Sequence, residues 1–278
     1  MNMKHFKIIL ALAIVLPVMS YGQKKVLLKY HLKTGEQYIT HTTTNQDITI
    51  STQGQTMTMN QVIHTDITTK ILDVRSDSIV TSNTMDKMTM DQTIFGQELK
   101  YDSSDPSTYA SGRAKQIGDA LNKLIGKAYK ITMDHSGNIG SYDISKLIGE
   151  GGKVSSNLKS GNNYIVFPSY KIKIGDSWET DIKPMKTDNM KIHMKYTLKK
   201  LSGKKATIAV SGTITANNVS GVTTNLTGTL SGTVVINRKT GWPISSRLSQ
   251  DIKMKLEKSG TEIPMEISST INSTSQKK

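Results

Sequence analysis

The side chains able to do chemistry are few, and their spacing suits little of it. Past the opening residues the histidines are His31, His41, His64, His135 and His193, and no pair stands at the interval of a helical zinc motif such as His-Glu-x-x-His. There is no Gly-x-Ser-x-Gly elbow and no phosphate-binding glycine loop. The Ser-x-x-Lys at Ser156 to Lys159 comes without the partner motifs that acyl transfer needs. Two acids tempt more: Lys33-Thr-Gly-Glu36-Gln-Tyr38-Ile-Thr40 and Lys173-Ile-Gly-Asp176-Ser-Trp178-Glu-Thr180 repeat one phrase, Lys-x-Gly-acid-x-aromatic-x-Thr. Glycoside cleavage uses two carboxyl groups flanking the bond. A phrase repeated at strand entrances reads more simply as a turn whose acid accepts backbone hydrogen bonds while the aromatic starts the core. No catalytic residue, metal ligand or cofactor is therefore assigned.

Methionine is the remaining candidate, with 14 in the chain. Met57 and Met59, then Met88 and Met90 after Met85, stand two apart, which places each pair on one face of a strand. Flexible thioethers fill cores short of aromatics, or line a plastic wall around an apolar ligand. Soft sulfur also suits Cu(I), which is the copper alternative.

The elements that must carry these residues are mostly strands. Met190, Ile192, Met194, Tyr196 and Leu198 alternate with Lys191, His193, Lys195, Thr197 and Lys199, and Ile252, Met254 and Leu256 alternate with Lys253, Lys255 and Glu257. Turn signals fall at Gln53-Gly54, Arg75 to Asp77, Ser202 to Lys205, Arg238 to Gly241 and Lys258 to Gly260. The expected fold is mainly β, with antiparallel curved sheets, half-barrel or sandwich-like, made from two related halves. One amphipathic helix packs on a sheet. That helix is expected from Ala114 through Ile117, Leu121, Leu124 and Ile125, with Gly126 as its C-terminal cap and a weaker helical turn at 144–148. The echo at 33 and 173, with 74–84 laid on 201–213 and 96–105 on 232–241, predicts a duplicated unit. The organisation read is a signal at 1–22 and one β-rich domain at 23–278, divided into a first half 23–105, a helix-containing joint 106–165 and a second half 166–278.

Residues 1–22 read as an export signal: a basic head, an apolar run to Val18, and small residues before Gln23. The run is shorter than the 18 or so apolar residues a membrane helix needs. With no cysteine, neither a lipid-anchoring thiol nor a disulfide is expected. The formal charge of +14 points to solubility and to anionic membrane or polysaccharide surfaces. An aromatic content of 5 % argues against a stacking platform for nucleic acid.

Phe167-Pro168 through Trp178, with Asn237-Arg-Lys-Thr-Gly-Trp-Pro243 and Leu32-Lys-Thr-Gly-Glu36, resembles an uncharacterised family of exported β-rich proteins of Gram-negative bacteria. The resemblance implies export and a β-rich fold and supplies no activity. Long curved strands with one helix laid across them are also similar in architecture to the half-barrel carriers of periplasmic lipoproteins. The functional expectation is a non-enzymatic envelope protein, periplasmic or extracellular, binding a lipid or other amphiphile through Met57, Met59, Met88, Met90, Ile117 and Leu121. The alternative is a surface-interaction module working through its basic face.

Overall fold

Among the described residues the alternation of apolar and polar side chains is realised as twelve antiparallel strands in one sheet. The structure is a computed structural model and describes residues 25–52, 54–94, 96–143, 164–182, 190–219, 222–258 and 261–278. The export signal, the Ser-x-x-Lys at 156–159 and the helical turn expected at 144–148 lie outside these. The strands are β1 (Gln37–Thr52), β2 (Gln55–Val74), β3 (Ile79–Ile94), β4 (Gln97–Asp102), β5 (Ala128–Met133), β6 (Ile139–Asp143), β7 (Ser177–Ile182), β8 (Lys191–Ser202), β9 (Lys205–Val219), β10 (Val222–Asn237), β11 (Pro243–Lys258) and β12 (Thr261–Lys277). Their order is β6-β5-β3-β2-β1-β12-β11-β10-β9-β8-β7, with β4 paired to the upper part of β3. The sheet is curved and does not close, so of the two shapes expected it is the half-barrel that forms.

Both halves enter the sheet through the same turn. Gly35 and Gly175 adopt φ of 90° and 95°, which glycine reaches without the Cβ penalty. The Lys33 N–H donates to the Glu36 carboxylate at 3.1 Å, and the Lys173 N–H to Asp176 at 2.9 Å. The Gly35 and Gly175 N–H groups donate to the carbonyls of Ile71 and Leu198, and the carbonyls of Glu36 and Asp176 accept from the same two residues. Each repeated acid is therefore a turn-builder. The echo of 96–105 on 232–241 is corrected: Gly96 lies in the turn between β3 and β4, whereas Gly232 lies inside β10.

The core gathers at the end of the sheet where these turns sit. Residues 25–32 thread between two other turns: the Tyr30 N–H donates to the His135 carbonyl at 2.8 Å and the His31 N–H to Thr240 at 2.9 Å. Tyr30, fully buried, both donates to the Ile165 carbonyl and accepts from the Ile165 N–H. Tyr38 stacks on Trp242 with ring centres 4.0 Å apart, and Trp178 stacks on Tyr196 at 5.5 Å. Seven aromatics, Tyr30, Tyr38, Tyr164, Phe167, Trp178, Tyr196 and Trp242, thus gather in one plug at the base.

The single α-helix among the described residues, α1 (Gly112–Leu121), is shorter than its apolar spacing predicts. It packs on β4 and on the 3₁₀ turn Pro106–Tyr109, where Gly118 lies against the Tyr109 ring and Tyr101 donates to Asn122 at 2.8 Å. Gly126 is not its cap. The Gly126 N–H donates to the Met85 carbonyl at 2.9 Å, so the chain beyond Leu121 is drawn back into the sheet instead of extending the helix.

Candidate functional site

Because directly opposed residues share a face, the register maps one whole side of the sheet. The row through Ile94, Met59, Ile48, Ile267, Ile252, Gly228, Ile214, Ile192 and Ile182 crosses nine strands and is apolar throughout. Above it, toward the end remote from the plug, runs a second row of Met57, Ile50, Met265, Met254, Leu226 and Ala216. Many of these side chains are half-buried, while Ile214, Ala216 and Leu226 are buried against Met190, Ile192, Ile252 and Met254, their own neighbours along the sheet. Mutual burial of residues on one face is what an inward-curving sheet produces, so this is its concave side.

Below the apolar rows lies a polar one. Gln92, Gln61, Gln46 and Ser269 are opposed across β3, β2, β1 and β12. Gln92 donates to the Gln61 carbonyl oxygen at 3.0 Å, Gln61 donates to Gln46, and Gln46 donates to the Ser269 hydroxyl at 3.1 Å. Gln92 also lies 2.7 Å from the Met59 sulfur, which thereby acts as an acceptor. A third row follows, with Met90, Ile63, Thr44, Ile271 and Leu248, apolar but for Thr44, and beneath it a tier of hydroxyls. There Thr42 meets Ser273 and Thr40 meets Ser275, each at 3.0 Å, and Trp242 donates to Ser275 at 2.9 Å. A recess of about 40 Å³ opens beside this tier, lined in part by Tyr164, Trp242 and Ser246. The Ser246 hydroxyl is buried and has no partner among the described residues.

The four expected methionines share this face but do not meet: Met59 on β2 opposes Ile94, whereas Met90 opposes Ile63 and Met88 opposes Thr65, so the pair of Gln61 and Gln92 lies between Met57 and Met59 on one side and Met88 and Met90 on the other. Ile117 and Leu121 of α1 are half-buried, and α1 lines neither the small recess nor the larger depression of about 440 Å³, whose lining includes Gln46, Gln61 and Gln92 together with Asp47, Asp91 and Glu98. The glutamine row escaped the sequence reading. Its only signal there is that Gln46, Gln61 and Gln92 occupy inward positions within runs of inward Ile and Met.

Charge is sorted by face. On the outer side Lys253 pairs with Glu266, Lys255 with Glu262 and Lys195 with Glu179, at 3.2, 3.0 and 3.2 Å. His193 lies 2.8 Å from Asp181, and the hydrogen bond to that carboxylate raises its imidazole pKa above the ordinary value. His41 faces Asp66 and His64 faces Thr43, also outside. At the base Glu36 is held below the ordinary carboxylate range: burial alone would raise it, but hydrogen bonds from Lys277, the Lys33 N–H and the Tyr38 hydroxyl outweigh that. Burial raises the phenols of Tyr164 and Tyr196, the latter to about 12, so both remain neutral. Among the described residues no group of three or more His, Cys, Asp or Glu side chains could hold a metal ion.

Residues 153–243 match the model of a family of unknown function (DUF6263), which covers less than half of the chain. No curated protein matches. Among solved structures, one titled for lipid–protein interactions in lipovitellin aligns over 88 % of this chain at 10 % identity with a TM-score of 0.49, and this chain spans only 26 % of it. The translocator domain of the autotransporter NalP from Neisseria meningitidis aligns at 8 % identity and a TM-score of 0.26, covering 88 % of this chain and 89 % of that one. An outer-membrane channel of Pseudomonas putida F1, COG4313, aligns at 8 % identity and 0.25, covering 89 % and 97 %.

Proposed function

We propose that the protein is an exported, non-catalytic binder of an apolar or amphiphilic molecule, held on the concave face of its open sheet. The observation that carries this reading is the pair of apolar rows through Ile48 and Ile50, which run across the sheet at the end remote from the aromatic plug. Half-buried isoleucines and methionines in contiguous rows form an apolar surface larger than scattered surface residues account for, and such surfaces mark binding sites. Methionine suits the purpose because its unbranched thioether adapts to guests of different shape. The repeated acids Glu36 and Asp176 are engaged in turns, so they support no hydrolytic reading. The outer lysines at 195, 253 and 255 are paired with glutamates, which lowers the charge that the basic-surface alternative could draw on at those positions. The test is native mass spectrometry of protein purified without detergent, followed by solvent extraction. A co-purifying apolar adduct is expected, and protein that carries no adduct and takes up no added amphiphile overturns the reading.

A further inference from the structure

The concave face carries a second message, in what it lacks. Following the register from Ile94 across to Ile182 and from the row of Met57 down to that of Thr42, no Asp, Glu, Lys, Arg or His falls on this side among the described residues. Seven of the nine strands in the path supply such residues to the other face: Asp47 and His41 on β1, His64 and Asp66 on β2, Asp91 on β3, Glu179 on β7, Lys195 on β8, Asp251 and Lys253 on β11, Glu266 on β12, while β10 carries no charge on either face. Lys277 reaches the inner side only at the base, where it is 2.8 Å from the Glu36 carboxylate.

In a chain of net charge +14 this separation is a selection rule. An ionised head group brought onto the face would give up water without meeting a counter-ion, a cost that neutral polar groups avoid when they find hydrogen bonds. Hydrogen bonds are on offer: the glutamine row supplies amide donors and acceptors between apolar rows, and the orphaned Ser246 hydroxyl sits beside a recess large enough for one small oxygen-bearing group. Resting on the binder reading above, we infer that the ligand is an uncharged amphiphile, with hydroxyl, ester or amide groups against the glutamine row and hydrocarbon along the rows through Ile48 and Ile50.

The experiment compares three probes of equal chain length by calorimetry on the full mature chain: 1-monolaurin, laurate and dodecyltrimethylammonium, each below its micelle concentration. Monolaurin binds at least about tenfold more tightly than either ion, a difference of roughly 1.4 kcal/mol. Ile267→Lys, in the middle of the apolar row, abolishes monolaurin binding. Met265→Lys, at a half-buried position nearer the sheet end and so less demanding of the fold, shifts preference toward laurate. Equal binding of all three probes, or tighter binding of laurate to the unaltered chain, overturns the uncharged class while leaving the binder reading intact. Binding of none, or binding that neither variant changes, overturns both. Sedimentation showing a dimer that Met265→Lys dissolves assigns the face to a second copy and overturns both as well.

Discussion

At the scale of single residues the informative side chains proved to be turn-builders and ladder-builders instead of catalysts. Glu36 shows why: its two oxygens take the Lys33 N–H, the Tyr38 hydroxyl and the Lys277 ammonium, and its side chain is only 11 % exposed. A carboxylate whose folded pKa is lowered contributes stability above its unfolded pKa and loses it as pH falls through the folded value. Glu36→Gln is therefore expected to cost roughly 1–2 kcal/mol at neutral pH. The gap between the two proteins narrows as the solution is acidified through the carboxylate range. Urea unfolding at a series of pH values measures it, and a gap constant from neutral pH into strong acid contradicts the assignment. The role of Glu36 was readable in the sequence because the entire phrase repeats at Asp176. The role of Gln46 was not, because its partners Gln61 and Ser269 reach it only through strand register.

At the scale of elements, period-two alternation and turn residues located most strands, since one face of each is wet. What alternation cannot show is order in the sheet: β1 pairs with β12 across nearly the whole chain, and nothing local marks that. The length of α1 was misjudged for a related reason, as its C-terminal end is set by the distant Met85 carbonyl. Glycines within β9 and β10 are a further element-scale feature. Gly212 leaves room for the Met194 side chain, and Gly232, at φ 152°, lies so close to the Arg247 carbonyl that a Cβ could not be placed without moving β11. Glycine inside a strand commonly marks a close backbone approach. Gly232→Ala is expected to lower stability by roughly 1–3 kcal/mol through strained backbone alone, with more from the clash. A thermal melt reads this directly, and an unchanged melting temperature shows that β10 and β11 can separate freely at this point.

At the scale of the whole molecule, the chain divides its labour between an aromatic plug at one end and an uncharged concave face leading away from it. The plug holds seven of the aromatic rings in stacked or edge contacts, with smaller apolar clusters around Ile131 and around Ile214 beside it. Composition disclosed the net charge but not its placement, because placement follows from register. That placement separates the two modes of association open to so basic a protein. Attraction to an anionic surface through the outer lysines weakens as salt shortens the Debye length from about 30 Å at 0.01 M to about 3 Å at 1 M. Burial of hydrocarbon on a face without charge has no such dependence, and salt at most strengthens it slightly. Saturating monolaurin, at a hundredfold excess over its dissociation constant, is expected to stabilise the fold by about 2.7 kcal/mol. The resulting rise in melting temperature stays the same at 0.01 M and 1 M salt, to within about 0.5 kcal/mol of equivalent stabilisation. A rise that vanishes at high salt moves the interaction to the outer face, because above the base that is where the described strands carry their charges.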